Sequence, residues 1–526
     1  MDMNPVEQRL TALQALWQQH RADETKRCLL WRTPANAVRL VHCFFEAQRH
    51  DAPAAPYIGS DTFIVFDAPF ENSMQYSRAL KEALAGHYGA SHESFAQQGL
   101  VPDWSFQPAA HADSASGFIE ALNSLSRHHA SALGTVVAVL LPAGVSSGPA
   151  WTAWLLRALD AGLADSVRLL TLDSPDAPRC NALADAKHAQ CHVESLPLDT
   201  WELAQQTFAQ EPAVGAAGVF RSLLTSLFGL VEKGSSEQVM TKANDALAFA
   251  RRQGWSDQEV VVRMLAAGTL LKDKRFIEAI HHYRHARIAA EAVSAQGHPA
   301  GNQLTLQTWF GEASTHVAAG DMARAAHCYA QAEPLAEAIA NLILRIEALR
   351  MGTFCHAGNN DRHAAMACGE RALEVGARLK PESRSMTTLP LAAYELLRLA
   401  DAGRTGQIEA IKHHLDAALD QLHEDTERDA AALEHHPDSR VLLTALEQTR
   451  RNTEDELTAL AAQDADAVAT AAGPTFLSLF QRARTLLGPT WPLSAVPPRA
   501  AAGAIAPQDA DEPDAIAQVA AEVTTA

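Results

Sequence analysis

A chain of 526 residues exceeds one ordinary domain, and two or three are expected. Its formal net charge of −19 excludes a general nucleic-acid binder, which needs clustered Lys and Arg to neutralise phosphates, and excludes docking on anionic lipid. Seven scattered cysteines, an odd number with no CxxC pair, argue against a disulfide framework and for reduced thiols in a cytoplasmic protein.

The first twenty residues, MDMNPVEQRLTALQALWQQH, form an amphipathic helical pattern with acidic and polar positions, unlike a signal peptide. No run of about 18 apolar residues follows anywhere, so no membrane insertion is expected. From there to about residue 200 short apolar runs alternate with helical patterns: CLLW (28–31), TFIVF (62–66), TVVAVLL (135–141), SVRLLTL (166–172) and CHVESL (191–196). The runs are rich in β-branched and aromatic residues and lack strict alternation, the pattern of strands covered on both faces in a mostly parallel sheet. An α/β domain over residues 1–210 is predicted.

From about residue 215 an internal repeat replaces the strand signal. FIEAIHHYRHA (276–286), MARAAHCYAQA (322–332) and RHAAMACGERA (362–372) align on the triplets Ala279/Tyr283/Ala286, Ala325/Tyr329/Ala332 and Ala365/Gly369/Ala372. Weaker copies are Val239/Ala243/Ala246 and Ala410/His414/Ala417. Positions i, i+4 and i+7 share one helix face, where small alanines admit a close partner helix and the aromatic fills the space between repeats. Twelve residues upstream, Ala267 and Ala313 hold the matching small position on the first helix of each pair, and KDKR (272–275), AGD (319–321) and GNND (358–361) supply the turns. This set resembles the tetratricopeptide repeat in a long-spaced form. It departs from that pattern where Gly369 and His414 replace the aromatic and where the proline after the second helix is mostly missing. The resemblance implies a solenoid of helical hairpins within 211–487. Beyond it, 488–526 is rich in proline and alanine, has no basic residue after Arg499, and reads as a disordered acidic tail.

Three places invite chemistry. RCLLWRTPANAVRLVHCFFE (27–46) is a strand, connection and helix, where a phosphate-binding loop would sit. Such a loop needs glycines so that successive N–H groups point inward, and a lysine for the terminal phosphates. Arg32-Thr33-Pro34-Ala35-Asn36 has neither, Pro34 removes a donor, and Thr33 is expected to be an N-cap with Pro34 in the first turn. TVVAVLLPAGV also ends without the carboxylate that would hold magnesium. An α/β domain before a tetratricopeptide-like array resembles the layout of signal-transduction ATPases with numerous domains, and that resemblance implies a degenerate P-loop domain here. GVSSG (144–148) matches G-x-S-x-G, with Ser146 followed by Asp173 and by His188 or His192 in the order of α/β-hydrolases. Pro142 and Ala143 interrupt the sharp turn that motif needs, so a helix N-terminus with Pro149 in its first turn is expected instead. His281 and His285 lie four apart, within reach of a shared metal, but no third ligand is identifiable and a groove-lining role is expected.

From these observations a cytoplasmic, bacterial, non-enzymatic protein with no cofactor and no metal is expected. Ala267, Ala279, Tyr283, Ala286, Ala313, Ala325, Tyr329, Ala332, Ala365 and Ala372 act as repeat-packing anchors. The resemblance implies an interaction scaffold, adaptor or chaperone-like protein whose partner is another protein, one version being an adaptor that loads secreted effectors. The alternatives are a nucleotide-responsive regulator and a serine hydrolase using Ser146.

Overall fold

The computed structural model describes residues 3–493 except 49–54, 98–100, 177, 187–188, 197, 199–202, 204–205 and 207–214. The described residues fold as two compact units, one holding those before 207 together with 416–457, the other holding 215–415 together with 458–493.

In the first unit the five apolar runs become five strands, β1 (Cys28–Arg32), β2 (Thr62–Phe66), β3 (Val136–Leu140), β4 (Val167–Asp173) and β5 (Cys191–Ser195). They form one all-parallel sheet in the order β2-β3-β4-β1-β5. Successive residues point to opposite faces, and both faces are covered. Leu29, Trp31, Phe63, Val137, Val139 and Leu170 pack under α1 (Pro5–Arg21) and α2 (Val38–Ala47), which contribute Leu13, Trp17, Phe44 and Phe45. Cys28, Leu30, Phe66, Ala138 and Leu169 pack under α3 (Ser73–Ala90), α5 (Ala115–His128) and α6 (Gly148–Asp160), after the short α4 (His92–Gln97). That double cover is why the runs read as continuously apolar. Asp61 pins α1 to the sheet: its carboxylate accepts from Trp17 Nε1 at 2.9 Å and Thr135 N at 3.0 Å and pairs with Arg21 Nε at 3.2 Å.

The segment 416–457 completes this unit. Glu427 and Glu434 stand seven residues apart, on one helix face. Glu427 accepts from the backbone N–H and hydroxyl of Ser73, in the first turn of α3. Glu434 accepts from both groups of Ser116 at 2.8 and 2.7 Å, in the first turn of α5. Each carboxylate thus meets the positive end of a helix, and Arg157 Nε pairs with Glu434 at 2.8 Å. Met74, Ala430 and Leu443 close an apolar contact beside them.

The second unit is a run of helices from α8 (Gly215–Lys233), which follows α7 (Asn181–Ala186) of the first unit. Consecutive hairpins pair α8 with α9 (Ser236–Gln253), α10 (Ser256–Lys272) with α11 (Phe276–Ala295), α12 (Gly301–Ala318) with α13 (Met322–Ala338), and α14 (Leu342–Gly358) with α15 (Arg362–Gly376). Val239, Ala279, Ala325 and Ala365 are each the fourth residue of a second helix, and all four are fully buried. The turns share one device. Lys274, Gly320 and Asn360 are left-handed, and Arg275, Asp321 and Asp361 donate back to Leu270, His316 and His356, so the last carbonyls of each first helix are satisfied. Asp321 and Asp361 then cap the second helices by accepting from Arg324 N and Ala364 N. After α16 (Pro381–Arg384) and α17 (Leu389–Ala400) come two 32-residue helices, α18 (Ala402–Leu433) and α19 (Ser439–Thr470), whose residues 416–433 and 439–457 belong to the first unit, then α20 (Pro474–Leu487).

Two expectations need correction. Ala410, His414 and Ala417 are exposed, so the fifth triplet is out of register. The buried stripe of α18 runs instead through Thr405, its fourth residue, Ile408 and Leu415. Residues 488–493 do not belong to a disordered tail: Trp491 and Leu493 are buried, and Arg484 Nε donates to Trp491 O at 2.8 Å. Residues 494–526 lie outside the described residues.

Candidate functional site

Because all five strands are parallel, their carboxyl ends share one edge, where open α/β sheets bind ligands. Neighbouring β1 and β4 bring Thr33 and Asp173 together there, Thr33 N donating to Asp173 O at 3.0 Å. Asp173 is buried and its carboxylate is consumed by its own loop, accepting from Ser174 N, Arg179 N and Cys180 N at 3.0, 2.9 and 3.2 Å. Thr33 is not an N-cap. A 3-10 turn begins at Ala35 with Pro34 in the cap position, and the buried Thr33 Oγ1 has no hydrogen-bond partner. Arg32 reaches across to Asn181 Oδ1.

The residues of the G-x-S-x-G reading are spread apart in function. Ser146 is exposed and its hydroxyl donates to Glu71 O at 2.7 Å. Ser147 is the N-cap of α6, accepting from Ala150 N, with Pro149 in the first turn as the sequence predicts. His192 Nε2 faces Glu194 at 3.2 Å. His188 lies outside the described residues.

All ten repeat anchors are buried: eight alanines at 0% exposure, Tyr283 at 7% and Tyr329 at 2%. Thr353, also at 0%, holds in α14 the place of Ala267 and Ala313. Tyr283 lies against Gly311 of the next hairpin, where an added Cβ would stand 2.2 Å from Cε1 of the ring. Tyr329 packs edge-on against Phe310, ring centroids 5.5 Å apart. At Gly369, the third equivalent, Leu396 of α17 fills the volume, 2.6 Å from where a Cβ would be.

The first helices α8, α10 and α12 enclose an apolar cavity of about 320 Å³, lined by Val231, Val261, Met264, Leu265 and Leu304, with Tyr283 in its wall and Lys272 and Gln307 among its polar residues. Arginine–glutamate clusters tie the hairpins together nearby. Glu312 is buried between Arg284 and Arg287, and the latter stacks its guanidinium 3.6 Å over Trp309. Glu333 links Arg345 and Arg371. Glu395 is less well served: Arg350 is 3.8 Å away, Oε2 is buried without a partner, and burial pushes the carboxyl up to about 7. The His281 and His285 rings are tilted against each other with centroids 4.2 Å apart, His285 Nδ1 is on the His281 carbonyl, and no third ligand joins them among the described residues.

Sequence reasoning missed one group. His20, in the last turn of α1, meets His192 and Glu194 of β5. The H-x-E alternation of β5 was the signal, since residues two apart share a sheet face, but nothing local said which helix would cover them. Among the described residues, no helix is long and apolar enough to cross a membrane. No protein-family model and no curated protein matches the chain.

Proposed function

We propose that the chain is a non-enzymatic interaction scaffold or adaptor that binds another protein through the face built by its first helices, in a tetratricopeptide-like array. The observation that carries this reading is the apolar cavity between α8, α10 and α12. Its walls are side chains of three successive first helices together with Tyr283 of α11, and about 320 Å³ is room for an apolar side chain from a partner helix or peptide. Hairpin arrays present extended surfaces of this kind. Gly268 lines the cavity, and a Cβ there would meet nothing within 4 Å. Gly268→Leu should therefore narrow the cavity without disturbing the fold. Captures from a lysate of the source organism, compared by mass spectrometry, should contain a protein retained by the wild type and lost with Gly268→Leu. Identical captures from both would defeat the proposal.

A second reading, a nucleotide-responsive regulator with a degenerate P-loop-like domain, is favoured by the orphaned Thr33 Oγ1 at the carboxyl edge of the sheet. A fluorescent ATP analogue whose binding is lost on Thr33→Val would support it, and absence of binding at millimolar nucleotide would remove it.

A further inference from the structure

We propose that His20, His192 and Glu194 form a binding site for a transition ion of the zinc class. His192 and Glu194 alternate with Cys191 and Val193 along β5, whose side chains join the core on the opposite face. The pair therefore points toward α1, whose last turn delivers His20. Glu194 Oε2 lies 3.2 Å from His192 Nε2 and 3.7 Å from His20 Nε2, and the three donor atoms are all within 4.8 Å of one another. Tetrahedral zinc with bonds of about 2.0–2.2 Å separates its ligand atoms by roughly 3.4 Å, so the donors already stand close to coordination spacing.

A second observation points to a ligand. His20 is 5% exposed, and its Nε2 is buried with no hydrogen-bond partner. A buried polar atom left so is destabilising unless something meets it.

Two other clusters with this donor chemistry fail where this one holds. In Glu312, His316 and Cys328 the carboxylate already carries Arg284 and Arg287, whose charge opposes a cation. In Asp103, His128 and His129 the Nε2 of His129 is engaged by the Tyr88 hydroxyl at 2.9 Å. Glu194, by contrast, pairs among the described residues only with the two histidines.

Two imidazoles and one carboxylate select a borderline ion such as zinc over calcium or magnesium, which take all-oxygen sets. Three protein ligands leave a fourth position for water, as in open zinc sites. His192 and Glu194 are each about one-third exposed, at 33% and 31%, so water can reach it. The ion would join the end of α1 to the edge strand.

The test uses the full chain, stripped with a chelator and titrated with Zn²⁺ against a chromophoric competitor. One equivalent should bind, raising the melting temperature as ligation of the native state requires. His192→Ala and Glu194→Gln should each weaken binding at least about tenfold, a loss that even changes behind metal ligands produce, and should abolish the thermal shift. Both side chains are partly exposed, so unligated variants should melt like the unligated wild type. Cobalt should bind without thiolate charge-transfer bands, which separates this site from the seven cysteines. Absence of stoichiometric binding, equal affinity in both variants, or a thiolate band that accounts for the bound metal would overturn the proposal.

Discussion

Gly311→Ala in α12 adds one methyl group, which would stand 2.2, 2.5 and 2.8 Å from Cε1, Cζ and Cδ1 of Tyr283. None of these separations is tolerable, so either the ring or the helix must move. Overpacking of this size costs about 1–3 kcal/mol, against a gain of about 1 kcal/mol from replacing glycine inside a helix. The cavity beside Tyr283 gives the ring somewhere to swing, which places the net loss nearer 1 than 3 kcal/mol. Tyr283→Ala alone should cost about 3 kcal/mol, the low end for a large aromatic, because the space it leaves opens onto that same cavity. In the Tyr283→Ala background the added methyl meets no ring, and Gly311→Ala should turn neutral or mildly stabilising. The two changes should therefore couple by about 1–3 kcal/mol in a double-mutant cycle. Urea unfolding of the four proteins, with fluorescence and circular dichroism compared to check the two-state assumption, measures it. Strict additivity would refute the interlock between adjacent hairpins. Hydrogen exchange on Tyr283→Ala adds a spatial check: loosening should concentrate in about residues 240–330, since hairpin arrays couple mainly to neighbours.

Four further outcomes are expected. Gly369→Tyr, which restores the residue of the preceding copies, should destabilise by about 2–3 kcal/mol because Leu396 already occupies the space; unchanged stability in the same urea titration would contradict this. The Glu395 carboxyl is raised from 4.5 to about 7 by burial, so between those values the folded chain keeps a proton that the unfolded chain releases, and stability falls as pH rises through that window. Glu395→Gln should accordingly add about 2 kcal/mol at pH 8, discounted because 23% of the side chain meets solvent, and close to nothing at pH 4; a pH-independent difference would exclude this origin. Glu434→Ala should destabilise the first unit by roughly 2 kcal/mol, because the Ser116 N–H loses its acceptor and Arg157 loses the nearer of its two carboxylates while keeping Glu427 and Ser73, read as faster exchange of the α5 amides. Ala340→Gly should stabilise by about 0.5–1 kcal/mol, because alanine at a φ of 56° bears a left-handed strain that glycine escapes, and a lower melting temperature would contradict it.

Periodicity alone determined much of this protein. Five runs without polar alternation became five strands because a doubly covered sheet demands apolar residues on both faces. The triplets at 279, 325 and 365 landed on the fourth residue of the second helix in three successive hairpins because a close helix–helix contact admits only small side chains there. The same reasoning slipped at Ala410, where an alanine spacing arose by chance on a solvated face, and at Trp491, where proline-rich composition hid a buried ring. Strand order was not legible, since nothing in the local sequence of β4 says that it lies between β3 and β1. Nor was the membership of 416–457 in the unit of the sheet, since nothing along that segment says that Glu427 and Glu434 accept from N–H groups of α3 and α5. The His20, His192 and Glu194 group has the same character, joining residues more than 170 positions apart. Local spacing encodes which face of an element is buried, because that depends on a few neighbours along the chain. Which elements meet depends on the whole packing, and only the folded structure decided it.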